Sequence, residues 1–139
     1  MNTTFGTGRV AKKPISDVTT SGVPRLRFQF AMDSSIKEGE EYLSYYVSVV
    51  MYGSRAEPMA EWLTVGSPLA ISGEQGTRVY EENGVRQYYT FLRLDKYQRL
   101  ESRDLANLRK VNNEKPEVAD NGLDEEMGLP NVGRGYEDY

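Results

Sequence analysis

The sequence predicts an all-β fold: a five-stranded Greek-key barrel with one short helix between strands 3 and 4, followed by a disordered acidic C-terminal tail. Three observations carry this expectation. Apolar residues alternate at period two in VPRLRFQFAMD, and the stretch YLSYYVSVVMYG is rich in β-branched and aromatic residues. The period becomes helical only at SRAEPMAEWL, and glycines stand inside strand-like stretches where a closing barrel must bend.

The first strand is expected from Phe5 to Ile15, with Gly6 and Gly8 inside it, and Thr19-Thr20-Ser21-Gly22 supplies the turn that pairs it with the second. In that second strand Leu26, Phe28, Phe30 and Met32 share one side, and Arg25, Arg27 and Gln29 the other. A charged loop from Ser34 to Glu41 leads into the third. The helix that follows places Ala56, Met59, Ala60 and Leu63 on one face. Ser54 and Glu57 have the spacing of a capping box, and Pro58 falls in the first turn, where few backbone N–H groups have partners. Gly66 ends this segment, and PLAISGEQGTRVYE makes the fourth strand, bent at Gly73 and Gly76. Asn83-Gly84 is a hairpin turn signal, and VRQYYTFLRLDKYQRL returns as the fifth strand. After Ser102 the pattern weakens to one or two helical turns at Leu105, Leu108 and Val111. Residues 1–102 are therefore expected to form the domain and residues 103–139 a flexible tail. The order β, β, β, short helix, β, β is that of an OB-fold, with any small barrel carrying one helix as the rival.

With no Cys and no His among 139 residues, the chain lacks thiolate and imidazole ligands for zinc, haem or iron–sulfur clusters, and it lacks Cys or His catalysis. The acidic clusters Glu38-Glu40-Glu41, Glu81-Glu82 and Asp124-Glu125-Glu126 have no partner spacing of a metal or acid–base site, and GTGRVAKK lacks P-loop spacing. The expectation is a protein that is no enzyme and needs no cofactor. No apolar run approaches the ~20 residues of a membrane span, so a cytoplasmic location is expected.

The net charge of −4 is unevenly placed. Residues 116–139 hold seven acids and one base, net −6, leaving 16 bases and 14 acids, net +2, before them. This asymmetry fits a binding domain with an interaction tail, and equally a solvated terminus.

Parity in the third strand puts Tyr42, Ser44, Tyr46, Ser48, Val50 and Tyr52 on one face. Rings spaced along a small, polar surface suit the stacking of bases, and Tyr46 and Tyr52 lead as candidates. Rim packing or a subunit interface would use the same tyrosines. Arg25 and Arg27 on the second strand, Arg78 and Tyr80 on the fourth, and Arg9, Lys12 and Lys13 on the first complete a basic and aromatic set. Single-stranded nucleic acid needs such a set, because charge follows the phosphates while any base offers a π-face.

The segments GRVAKKP, the Ser-Gly turn before RLRFQFAMD, YYVSVVMYG running into AEPMAEWL, and VGSPLAISGEQGTRVYEENGVRQYYTF resemble the bacterial-type single-stranded DNA-binding proteins, a family found also in phages and mobile elements. The most specific part runs from Gly66 through Gly73 to Thr77-Arg78-Val79-Tyr80. The resemblance spans most of residues 5–100. It implies an OB barrel, a homotetramer or alternatively a homodimer, and single-stranded DNA wrapped over aromatic and basic side chains during replication, recombination or repair. Matched residue by residue, the family's stacking aromatics fall on Tyr46, Tyr52 and Tyr80, and a further one falls near Ile36, which is no ring, so that contact is missing or displaced. Tyr replaces Trp at Tyr46 and Tyr80, which keeps the stack and weakens it. The family's tail ends in acids followed by Pro-Phe; here the end is Tyr136-Glu137-Asp138-Tyr139, implying a partner-binding tail for replication or recombination proteins with altered docking. Such a chain resembles a divergent member from a phage or plasmid. The alternative is an OB-fold protein-interaction module of the primosome type, touching DNA weakly.

Overall fold

In the computed structural model, which describes residues 1–114, the strands are β1 (Thr4–Val10), β2 (Ile15–Val18), β3 (Pro24–Glu38), β4 (Glu41–Tyr52), β5 (Pro68–Glu82) and β6 (Val85–Arg99), with helices α1 (Ala56–Trp62) and α2 (Arg103–Glu114). The sheet order is β1-β5-β6-β4-β3-β2, and a further β1–β3 pairing closes five of the strands into a barrel with β2 added at the edge of β3. The parallel pairing between β4 and β6 is confined to Val49↔Leu92 and Val50↔Arg93. This is the OB arrangement that the element order predicts.

The alternation in β3 and β4 does what period two dictates. Leu26, Phe28, Phe30, Val49 and Met51 fill the barrel with Val10, Leu69, Ile71, Leu92 and Leu94. Ala56, Met59 and Leu63 of α1 extend this core, and α1 packs against β2 and β3. Each of the larger side chains among them, fully buried, contributes about 1.5–3 kcal/mol. Asn83 and Gly84 both have positive φ, 54° and 77°, as the hairpin turn between β5 and β6 requires. The expected bend at Gly73 is a register shift between Ser72 and Gly73.

Four local expectations are corrected. The single strand Phe5–Ile15 is interrupted at residues 11–14. Both its halves still run along one edge of β3, Val10 opposite Phe30 and Ile15 opposite Arg27. Pro14 has no N–H to donate to a ladder there. The charged loop from Ser34 to Glu41 is strand on both sides of a tight turn at Gly39, so β3 and β4 form one long hairpin projecting past the barrel. The capping box is absent: Arg55 holds the N-cap position of α1 with no side-chain hydrogen bond. Residues 103–114, expected to give at most two weak turns, make the full helix α2. Lys110 donates to the Glu61 carbonyl at the end of α1, Asn113 donates to the Thr64 hydroxyl and the Val65 carbonyl, and Arg109 pairs with Glu101. Polar anchoring of this kind leaves no apolar periodicity facing the barrel for a sequence pattern to detect, and Leu105, Leu108 and Val111 are exposed. Among the described residues no helix is long and apolar enough to cross a membrane.

Candidate nucleic-acid interface

Residues directly opposite in an antiparallel pair share a face of the sheet, so the register spells out the outer surface of the barrel. Arg9 lies opposite Ala31, and Ala31 opposite Tyr46, which sets a cation, a small residue and a ring in one row across β1, β3 and β4. Tyr46 is 62% exposed. The Arg9 guanidinium donates to the Gly66 carbonyl at 2.9 Å and remains at the surface. Along β4, Ser48 follows opposite Gln29, then Val50 opposite Arg27, then Tyr52 opposite Arg25. Towards the hairpin tip Tyr42, also 62% exposed, stands opposite Lys37, whose ammonium lies 5.0 Å from the ring centroid. Rings four residues apart on one strand face are separated by roughly 13 Å.

The structure places the other candidates differently. Tyr52 and Tyr80 are half-buried and pack against a second apolar cluster of Val50, Tyr89 and Phe91, with the Arg93 guanidinium 5.7 Å from the Tyr52 centroid. This cluster lies outside the barrel core, on the face that parity assigns to the surface. The Phe91 ring covers Gly76, where a Cβ would meet it at 3.0 Å. Tyr52 and Tyr80 therefore wall a small core and show only part of each ring. Arg78, opposite Tyr89, is likewise half-buried.

Arg25 and Arg27, expected as exposed phosphate contacts, are buried to 4% and 9% exposure. Asp17 of β2 explains it. Arg25 donates to both its carboxylate oxygens at 2.8 and 2.7 Å, and Arg27 donates to one at 3.0 Å. The alternation of β3 gave the correct face but could not show that β2 lies beside it and supplies a carboxylate. Lys12 and Lys13 occupy the interruption between β1 and β2, with Lys13 exposed. Tyr136, Glu137, Asp138 and Tyr139 lie outside the described residues. Arg93 joins this set of candidates from the structure, exposed beside the Tyr52 ring. The signal was available, because Tyr89, Phe91 and Arg93 share the parity that puts them opposite Arg78, Gly76 and Glu74.

The Arg25 hydrogen bonds hold the Asp17 carboxyl below its ordinary value of 3.8; partial burial opposes this, and the charge of Arg27 adds to it. A carboxylate with a depressed folded value stabilises the fold fully above its unfolded value, and loses that contribution as pH falls through the folded one. Replacing Asp17 by Asn is expected to cost about 1–3 kcal/mol near neutral pH, since it leaves two buried guanidinium groups short of their anion. Urea midpoints measured on descending pH should fall for the wild type below the ordinary value of 3.8 and stay flatter for Asp17→Asn. Parallel curves would remove Asp17 as the anchor of β2.

Comparison with known proteins agrees with this geometry. The sequence profile of the single-strand binding protein family matches residues 1–100. The chain is 34% identical over 120 residues to "Single-stranded DNA-binding protein 2" of Streptococcus agalactiae serotype V, covering 86% of this chain and 91% of that one. It is 27% identical over 113 residues to "Single-stranded DNA-binding protein 2" of Clostridium acetobutylicum, covering 80% and 85%. Among solved structures, the small single-stranded DNA-binding protein from Streptomyces coelicolor superposes with a TM-score of 0.56 at 19% identity, over 70% of this chain and 92% of that one, which supports the fold.

Proposed function

The chain belongs to the single-strand binding protein family, and from that premise we infer that it binds single-stranded DNA, the role that family serves in replication, recombination and repair. The observation that carries the reading in this chain is the row Arg9, Ala31, Tyr46, an exposed ring flanked by a surface cation with only a methyl between them. Bases stack on Tyr46 and Tyr42, and on the exposed parts of Tyr52 and Tyr80. Arg9, Lys12, Lys13, Arg78 and Arg93 neutralise phosphates, releasing counterions. Recognition by ring face and backbone charge ignores most of the base sequence, and it makes or breaks no covalent bond. The protein-interaction alternative, with weak DNA contact, is not favoured by relatives that carry the single-stranded DNA-binding name over most of their length.

The finer assembly follows the same premise. Four copies, or two, bring several such faces together, the acidic terminus from residue 116 onward reaches replication or recombination proteins, and the complex works in the cytoplasm.

A fluorescence titration with oligo(dT) at several salt concentrations tests the function. Length-dependent binding whose affinity falls steeply with salt is expected, and Arg9→Ala should lower the salt slope by about 0.7, the contribution of one phosphate contact on a single strand. Light scattering on the same samples reads the number of copies. Absence of binding at low salt would leave the interaction-module reading.

A further inference from the structure

Where the pairing of β4 with β6 stops at Val49↔Leu92, the two strands diverge and a cleft of about 280 Å³ opens between them at the end of the barrel away from α1. Met32, Val47, Phe91 and Leu92 give it apolar walls, and Tyr46 of β4 and Gln75 of β5 line it with them. We propose that this cleft is a one-base pocket which takes a thymine turned out of the bound single strand, with Tyr46 as the entry platform and Gln75 as the reader of the base edge. The proposal rests on the single-strand-binding reading and goes beyond it, because a pocket of this kind adds a base preference to an otherwise sequence-tolerant surface.

Size, chemistry and positioning each support it. The volume has room for roughly nine water molecules, the scale of one flat base with its edge waters. A base extruded from Tyr46 leaves a π-face for apolar walls, the kind of site in which extruded bases are held. Thymine offers a C5 methyl to those walls and the O4 acceptor beside the N3–H donor, which match the donor and acceptor of one glutamine amide.

The backbone that carries Gln75 is also held in place. Asn2 donates from Nδ2 to the Gln75 carbonyl at 2.6 Å, and the Gln75 N–H donates to Asn2 Oδ1 at 3.3 Å. This two-point clamp lies beyond Thr4↔Gly73, where the β1–β5 ladder ends, and it continues that ladder through a side chain. The larger cleft of about 410 Å³ on the far side of Gly73 offers no ring for a base to stack on, and its lining sets the carboxylates Glu74 and Asp95 beside the single cation Arg93.

The test compares homopolymers of dT, dU and dC of one length with the full chain, by fluorescence titration at fixed salt. dT and dU differ only in the methyl group, so the pocket predicts about fourfold tighter binding of dT, the value of one buried methyl. Gln75→Glu replaces the donor with a second acceptor, which suits the amino group of cytosine, and the dT to dC affinity ratio is expected to fall about tenfold. Equal affinities for dT and dU in the wild type, or an equal loss on dT and dC in Gln75→Glu, would overturn the pocket while leaving single-strand binding intact. No binding to any of the three would overturn the pocket together with the reading it rests on.

Discussion

Gly8→Ala is expected to be severely damaging to the barrel, costing at least about 3 kcal/mol, beyond the usual range for adding one methyl to a packed interior. A Cβ built on Gly8 would lie 2.0 Å from the backbone oxygen of Ala31 and 2.9 Å from its carbon. Backbone cannot step aside as a side chain can. Gly8 sits opposite Met32 and Leu69, where β1 is shared between β3 and β5 and the barrel closes. Relief of the clash therefore means opening that closure. Gly6→Ala is the control, because the nearest atoms its new methyl would meet belong to the Met32 side chain, at 2.7 Å from sulfur, and a thioether can rotate away. Urea unfolding of the two variants should show Gly8→Ala unfolded or nearly so and Gly6→Ala losing about 1 kcal/mol. Similar midpoints for both would refute the close approach of β1 to β3.

The contrast between these glycines shows what the sequence makes legible. Period two in β3 and β4 assigned Leu26, Phe28, Phe30, Val49 and Met51 inward and Tyr46 outward, because alternation is a property of the strand itself. The Asn83-Gly84 turn and the bend at Gly73 were legible for the same local reason. What stayed hidden depends on neighbours. Arg25 and Arg27 lie on the expected outer face, yet Asp17 draws them into an ion-paired layer. Val50, Tyr89 and Phe91 share the outer surface and are buried, because they pack on one another and Tyr52 and Tyr80 pack against them. The candidate interface is therefore narrower than the pattern of rings and bases suggests. Tyr46 with Arg9 is displayed, Tyr42 is displayed on the hairpin, and Tyr52 and Tyr80 divide their surface between packing and solvent. Helix α2 was illegible because polar side chains attach it and its apolar stripe faces outward.

This division decides how the tyrosines should differ when removed. Tyr46→Ala is expected to weaken oligo(dT) binding by about 1–3 kcal/mol, the range for loss of one base stack, with little change in the urea midpoint, because an exposed ring at Tyr46 gives the fold little packing. Tyr46→Phe keeps the π-face and should bind nearly as the wild type does. Neither variant removes a charge, so the salt slope should stay at the wild-type value, whereas Arg9→Ala changes the slope and leaves the stack in place. Tyr52→Ala should behave in the opposite way, lowering the urea midpoint because it strips a wall from the Val50, Tyr89 and Phe91 cluster and the ring beneath Arg93. Its effect on binding then includes the loosened face as well as the lost stack. Full affinity in a folded Tyr46→Ala would return the ring to the role of rim packing and move the DNA path to the half-buried pair, Tyr52 and Tyr80. Lost affinity with an unchanged midpoint and slope would assign the stack to Tyr46, because charge and fold would both be accounted for.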